Sequence, residues 1–254
     1  MDMGLGGRVI VVTGGAAGIG RAVAGLAAAE GVGALVLVDR DAAGCARAAE
    51  AVGGLALCED LADPEAPARV AAAVRARFGR IDGLVNAAGL TTRGSFVTGT
   101  AAVWDRLFDV NARGAYLMMQ AAILDMQARG AAGSIVNILS MNAHCGIPEL
   151  AIYAATKGAL ATLTKNAAHA HMADRIRVNG INLGWVATES ERHMQAEVLG
   201  KGPGWEAEAA ADLPLKRLVT AEEAARLAVF LLGEASVPMS GALVDFEQKV
   251  AGAI

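Results

Sequence analysis

Aromatic residues are scarce in this chain. They make up 4% of its 254 residues, and only two of them are tyrosines, Tyr116 and Tyr153. A core built on large rings is excluded, and helices must pack through small and aliphatic side chains. Lysine is scarce too, with five in all, because arginine carries most of the positive charge. The formal net charge is −4 and no lysine–arginine run occurs, which argues against a nucleic-acid partner. The three cysteines, Cys45, Cys58 and Cys145, show no CxxC spacing. They offer neither a disulfide framework nor a thiolate metal site, so no metal is expected and a reduced, cytoplasmic setting fits best. Long apolar runs are missing. The most apolar window, residues 22–38, is broken by Gly25, Glu30, Gly31 and Gly33, and reads as helix, turn and strand, so no membrane span is expected. The N-terminus has neither a basic segment nor an apolar stretch ending in a cleavage site, so no secretory signal is expected.

What the chain has instead is alanine, 31 glycines, and short runs rich in valine, isoleucine and leucine. Seven such runs, at 8–13, 34–39, 54–58, 82–87, 133–140, 176–182 and 241–246, are apolar on both faces, as strands of a covered parallel sheet must be. Helical stretches lie between them, near 18–30, 41–52, 64–78, 100–129, 150–173 and 221–233. Pro64 is placed in the first turn of the third, with Asp63 as its cap. The alternation predicts an α/β fold: one doubly wound, Rossmann-like parallel sheet of about seven strands, with helices on both faces, spanning 1–254 as a single domain. The long irregular region at 186–214 carries Gly200, Gly202, Pro203, Gly204 and Pro214, and is read as a substrate lid.

The first strand runs into "VVTGGAAGIGRAVA", residues 11–24. Gly14 permits a tight turn, while Gly18 and Gly20 allow close approach of ligand and sheet. The exposed N–H groups of the following helix suit a pyrophosphate. Asp39 ends the second strand, nineteen residues after Gly20, where a carboxylate accepts hydrogen bonds from ribose hydroxyls and repels a 2′-phosphate. NAD is therefore expected rather than NADP. Arg40 partly blunts that preference, and no basic residue precedes Gly18.

The turn's spacing, "TGGAAGIG", resembles the TGxxxGxG of the short-chain dehydrogenase/reductase family, classical type. Further family signatures follow in order: Asp60-Leu61 after the third strand, "NAAG" (86–89) after the fourth, "NARG" (111–114), Ser140 after the fifth strand, the YxxxK pair Tyr153 and Lys157, and "LPLKRLVTAEEAA" (213–225). The resemblance covers essentially the whole chain. It implies cofactor contacts from Thr13, Gly14, Gly18, Ile19, Gly20, Asp39, Arg40, Asp60, Leu61, Asn86, Ala87, Gly89, Tyr153, Lys157, Val186 and Thr188. It also implies a catalytic set of Asn111, Ser140, Tyr153 and Lys157, and a homotetramer or homodimer. Three departures stand out: Leu183 in place of the proline of Pro-Gly, Lys216 in place of the glycine of PLGR, and "DFEQKV" (245–250) in place of a glycine pair.

The reaction implied interconverts a secondary alcohol and a ketone by hydride transfer. A free phenol, with a pKa of about 10, is a poor base near neutrality, and a cation one helical turn away favours its ionised form. Lys157 is expected to lower the pKa of Tyr153 in this way, and by resemblance to hold the nicotinamide ribose. Ser140 is expected to hold the substrate oxygen. The resemblance also has Asn111 anchoring a proton-relaying water. Taken singly, these are a solvated lysine on an amphipathic helix, a strand-end serine and a packing asparagine; together, behind a cofactor turn, they favour catalysis. Substrate contacts are expected from Arg93, Asn142, His144, Trp185 and His193, among flanking polar residues that suit a sugar or polyol better than a sterol or acyl chain. Two other readings are a 3-oxoacyl-carrier-protein reductase using NADPH, disfavoured by Asp39 and by the acidic "TESE" at 188–191, and a dinucleotide-binding sensor without turnover.

Overall fold

The computed structural model describes residues 3–251. The apolar runs form strands β1 (Val9–Thr13), β2 (Ala34–Asp39), β3 (Leu55–Cys58), β4 (Gly83–Asn86), β5 (Gly133–Ile138), β6 (Ile176–Leu183) and β7 (Leu243–Phe246). They pair in parallel in the order β3-β2-β1-β4-β5-β6-β7. Valine and isoleucine fit the pleat, and the two-residue period sends alternate side chains to opposite faces. Ile10 and Val12 of β1, with Leu35 and Leu37 of β2, face one core; Val9 and Val11, with Val36 and Val38, face the other.

Helices cover both faces: α1 (Gly18–Ala29), α2 (Ala42–Ala51), α3 (Ala66–Phe78), α4 (Ala101–Phe108), α5 (Ala115–Ala128), α6 (Ala151–His171), α7 (Glu189–His193), α8 (Trp205–Ala211) and α9 (Ala221–Leu232). α1, α2 and α9 lie over the first core, and α3, α5 and α6 over the second. The shortage of rings is met by alanine. Ala24 and Ala27 of α1, with Ala224, Ala225 and Ala228 of α9, are buried in the same cluster, which lets the two backbones approach closely. α9 starts with a capping box, Thr220 Oγ1 accepting from the Glu223 amide at 3.2 Å while Glu223 Oε2 accepts from the Thr220 amide at 2.9 Å.

Three expectations shift. The third helix starts at Ala66, with Pro67 rather than Pro64 in its first turn. Asp63 instead folds into the preceding turn, Oδ1 accepting from the Glu65 amide at 2.9 Å, the short local bond that aspartate makes in competition with a helix. The stretch 100–129 is two α-helices joined by a π-helical turn at Asp109–Gly114. The region 186–214 is not a plain loop, since α7, a π-helical turn at Met194–Val198 and α8 fall within it. No helix among the described residues is long and apolar enough to cross a membrane, and no metal-binding group of His, Cys, Asp or Glu occurs among them.

Candidate active site

Strand order reverses direction at β1, whose neighbours are β2 and β4. A crevice at the carboxyl ends of the strands is expected there, and the glycine turn fills its floor. Gly14 has φ +68°, and a Cβ on it would lie 2.8 Å from the Ala88 amide nitrogen. A Cβ on Gly20 would overlap the Gly14 carbonyl. Thr13 Oγ1 accepts from the amides of Ala87 and Ala88, each at 3.2 Å, and so clamps the end of β4 to β1. Ala17, at the N-cap of α1, contributes no side-chain bond, and no acid lies in the first turn. An anion meets open N–H groups there without a competing carboxylate. Ile19 packs on the core behind the turn.

Asp39 lies at the end of β2, its Oδ2 accepting from the Ala16 amide at 3.1 Å and its Oδ1 from the Asp41 amide at 3.0 Å. These two bonds fix the carboxylate beside the turn and leave further acceptor capacity. Arg40 is exposed next to it. Asp60 is paired with Arg106 at 2.9 Å. Burial opposes its ionisation, but hydrogen bonds from the Ala62 amide and from Arg106 outweigh that and hold its carboxyl below the ordinary range. Leu61 is buried in the second core. Asn86 turns its side chain inward, donating to the Ala115 carbonyl at 3.2 Å and to Asn137 Oδ1 at 2.9 Å. Any contact it makes with a crevice ligand must therefore come from its backbone. These features fit a dinucleotide: the floor admits no side chains, the helix end is open to an anion, and a fixed acceptor stands at the end of β2.

The four residues of the candidate catalytic set converge beside this floor. β5 ends at Ile138, and Ser140 leaves the sheet to cap a short 3-10 turn, Met141–Ala143. Its Oγ accepts from the Asn142 amide and side chain, each at 3.2 Å, and lies close enough to Tyr153 to favour the ionised phenol. Lys157 Nζ lies 5.8 Å from the Tyr153 ring centroid and donates to the Ile138 carbonyl at 2.7 Å. Asn111, within the π-helical turn, exchanges bonds with Leu90, accepting from its amide at 2.8 Å and donating to its carbonyl at 2.9 Å. It also donates to Thr156 Oγ1 at 3.1 Å, and that hydroxyl donates to the Tyr153 carbonyl at 2.7 Å. A Cβ on Gly89 would sit 3.5 Å from Asn111 Oδ1 and 3.6 Å from Lys157 Nζ, so these three residues meet at one point.

The electrostatics depart from the sequence-based expectation. Burial pushes the Tyr153 phenol up, the Ser140 hydroxyl pulls it down, and the Glu191 carboxylate raises it further. The net direction is upward. Lys157 favours the phenolate, as a nearby cation must, but burial outweighs it. Burial also drives the Lys157 ammonium down, from 10.5 to about 8.

The expected substrate residues divide. Asn142 is on Ser140. Arg93 folds back on its own loop, donating to the Thr91 carbonyl at 3.2 Å. His144 is taken by Asp245 at 2.9 Å, which also accepts from Asn182 at 2.7 Å. His193 is exposed and paired with Glu197 at 3.0 Å, one helical turn on. Trp185 donates its indole N–H to Glu191 at 2.9 Å and lies 5.6 Å from the Trp205 ring. Val186 bridges to Val219. Thr188 caps α7, and its methyl lies 3.4 Å from where a Cβ on Gly18 would be, which brings the 186–214 segment onto the glycine turn. A polar cleft of about 630 Å³ opens beside that contact, lined by Arg21, Glu189, Arg192 and Glu206 among others. It borders the turn, not Ser140 or Tyr153.

Sequence reasoning missed Glu191 and Glu247. The signal for the first was the "TESE" tetrapeptide; for the second it was the missing glycine pair after β7. Glu247 packs its carboxylate against Gly184 and accepts from the Trp185 amide at 3.2 Å. Lys216 stands at φ +54°, a left-handed conformation that explains why a glycine is usual there.

Comparisons with known proteins agree with this geometry. A family model described as "Enoyl-(Acyl carrier protein) reductase" matches residues 14–246. The chain is 36% identical to 2-(S)-hydroxypropyl-CoM dehydrogenase 3 of Xanthobacter autotrophicus (strain ATCC BAA-1158 / Py2), over 92% of this chain and 93% of that one. It is 34% identical to L-xylulose reductase of Bos taurus, over 97% and 98%. The crystal structure of L-sorbose reductase from Gluconobacter frateurii, complexed with NADPH and L-sorbose, superposes over 100% of both chains with a TM-score of 0.93 at 31% identity. With its motifs, sheet order and relatives in agreement, the chain belongs to the short-chain dehydrogenase/reductase family, whose cofactor is a nicotinamide dinucleotide, and is an oxidoreductase of secondary alcohols and ketones.

Proposed function

We propose that the protein is an NAD-dependent dehydrogenase of a polyhydroxylated secondary alcohol, a sugar or polyol, with Tyr153 as general acid/base. The observation that carries this reading is the convergence on one point: Lys157 Nζ lies 5.8 Å from the Tyr153 ring, Asn111 is tied through Thr156 to the Tyr153 carbonyl, and the Ser140 hydroxyl acts on the phenol. In the oxidative direction Tyr153 reacts as its phenolate, and the alcohol O–H proton passes to that oxygen as the C=O bond forms. A nicotinamide held on the glycine floor would supply the acceptor for the hydride, which carries the electron pair of the broken C–H bond. Ser140 holds the substrate oxygen and stabilises the charge on it. Lys157, still largely protonated below a pH of about 8, works against the burial that holds the phenol protonated, as the positive charge of a bound oxidised nicotinamide would also do. Asn111 positions the set by tying Leu90 to Thr156, and through Thr156 to the Tyr153 carbonyl.

The glycine floor and Thr188 would hold the dinucleotide, and Asp39 supports NAD over NADP. Its carboxylate is anchored by two backbone amides and would face a 2′-phosphate with like charge. The segment 186–214 acts as the lid. Support for a sugar or polyol comes from the polar residues around Ser140 and from relatives named for L-xylulose and L-sorbose. A homotetramer or homodimer is the assembly proposed by resemblance. The test follows reduced-nicotinamide absorbance with NAD or NADP against a panel of pentitols, hexitols and ketoses. Turnover with NAD preferred is expected. Preference for NADP contradicts the role of Asp39, and cofactor binding without turnover on any member favours a sensor.

A further inference from the structure

The segment 186–214 leaves the sheet after Trp185 and returns past Leu215 to Val219, and its two ends are zipped together. The Val219 amide donates to the Trp185 carbonyl at 3.1 Å, and the Ala187 amide donates to the Val219 carbonyl at 2.9 Å, a parallel bridge centred on Val186 and Val219. The chain beyond β7 reaches both ends of this stem. The Gly184 amide donates to the Phe246 carbonyl at 3.0 Å, which aligns the end of the edge strand with the start of the stem. Glu247 Oε2 accepts from the Trp185 amide at 3.2 Å, and its Oε1 from the Gln248 amide at 2.6 Å. Gln248 spans to the returning end: its Oε1 accepts from the Leu215 amide at 2.8 Å, and its Nε2 donates to the Arg217 carbonyl at 2.7 Å. The Glu247 carboxylate occupies the space that a Cβ on residue 184 would need, so the glycine there is what admits it.

Three hydrogen bonds from two adjacent side chains therefore tie both ends of the stem to the edge of the sheet. Each is modest alone, but a stem closed by a single bridge is the kind of element that opens locally, and bonds from one fixed strand end oppose that opening together. The stem runs directly into Thr188, which caps α7 and lies against Gly18. Whatever fixes the stem thus sets where α7 stands over the glycine turn. We infer that Glu247 and Gln248 are positioning residues: they clamp both ends of the stem, so that the lid closes from a fixed base. This rests on the reading of 186–214 as a substrate lid, and it names the place where the motion of that lid stops.

Gln248→Ala is the discriminating change, because it deletes both bonds to the returning end and alters a half-buried side chain outside the two cores. Amide hydrogen exchange reads the stem at Ala187 and Val219, whose own partners the substitution leaves in place, with Val11 and Leu84 of the central strands as reference. Exchange at Ala187 and Val219 is expected to quicken by about tenfold, equivalent to ~1.4 kcal/mol of local opening, with Val11 and Leu84 unchanged. Steady-state kinetics use saturating cofactor and the pentitol, hexitol or ketose that wild type turns over best. KM is expected to rise about three- to tenfold with kcat held within about twofold, the pattern of lost binding and not of lost chemistry. Gln248→Glu, which keeps the acceptor for Leu215 and loses the donor to Arg217, is expected to fall in between. Unchanged exchange at Ala187 and Val219 overturns the clamp and leaves the lid reading standing. Equal acceleration at Val11 and Leu84, or a fall in kcat with KM unmoved, marks a general structural loss and overturns the inference as well. Faster exchange in the stem with KM and kcat both unmoved overturns the lid reading, and the positioning role with it. Turnover of no member of the panel by wild type overturns the proposed substrate class, while the exchange result still decides the clamp.

Discussion

Replacing Lys157 with methionine removes a buried charge while keeping a linear side chain in the same space. Lys157 is 5% exposed, and burial lowers its pKa from 10.5 to about 8. At about 1.4 kcal/mol per tenfold, that fall represents about 3 kcal/mol paid to keep the ammonium in the folded protein. The bond to the Ile138 carbonyl at 2.7 Å works the other way, and a hydrogen bond from a charged donor returns about 1.5–3 kcal/mol, so the full penalty is an upper bound. The sign follows from linkage. Below a pH of about 8 the lysine is charged in both states and the folded state bears the whole cost. Between about 8 and 10.5 the folded side chain releases its proton while the unfolded one keeps it, so wild type gains stability relative to the variant. Urea unfolding of both proteins on either side of this window measures the gap. Lys157→Met is expected to be more stable than wild type at neutral pH by about 0.5–3 kcal/mol. It should lose that advantage above 10.5 and lose turnover at every pH. A variant that is less stable than wild type by the same amount at all pH values refutes the argument. Stability exchanged for activity in this way is common where a charge is buried for chemistry.

Other expectations follow from particular contacts. Lys216→Gly relieves a left-handed residue at φ +54° that costs roughly 1–2 kcal/mol; with about 0.5–1 kcal/mol set against it for the entropy of glycine, and the exposed bond to the Ala211 carbonyl contributing little, urea unfolding should show a gain of about 0.5–1 kcal/mol, and a loss contradicts the strain. Gly14→Ala drives a methyl against the Ala88 backbone at 2.8 Å; about 1–3 kcal/mol of stability and most of the dinucleotide affinity should be lost, read by thermal melting with and without NAD. Asp39→Ala removes the carboxylate anchored by Ala16 and Asp41; the NAD-to-NADP ratio of kcat/KM should fall by about tenfold or more, equivalent to ~1.4 kcal/mol, and an unchanged ratio shows that Asp39 does not select the cofactor.

The sheet was legible because each strand is a short apolar run bounded by glycine or polar residues, and because parallel strands buried on both faces leave little ambiguity. The helix interruption at Asp109–Gly114 was not legible: "DVNARG" contains no proline, and the π-helical turn arises where Asn111 binds Leu90 and Thr156, partners 21 and 45 residues distant. The spacing of Tyr153 and Lys157 announced their proximity, but spacing carries no information on burial, and burial reversed the expected direction of the phenol shift. The polar pocket residues were chosen by nearness in sequence to the strand ends. Nearness could not reveal that His144 would be claimed by Asp245, or Trp185 by Glu191, since those partners come from β7 and α7. Two departures from family pattern did mark real features. Lys216 sits where the backbone wants glycine, and the "DFEQ" that replaces a glycine pair supplies Asp245 to His144, Glu247 to Trp185 and Gln248 to Leu215 and Arg217.

The central claim is that Tyr153 moves the proton, and Tyr153→Phe tests it most directly, because phenylalanine keeps the ring in its buried place and deletes only the hydroxyl. Turnover with saturating NAD should be measured beside the NAD dissociation constant. The account predicts a fall in kcat of about 10²- to 10⁴-fold, the range for a lost general acid/base, with cofactor affinity held within a few-fold. An unchanged kcat, with NAD still bound, contradicts it.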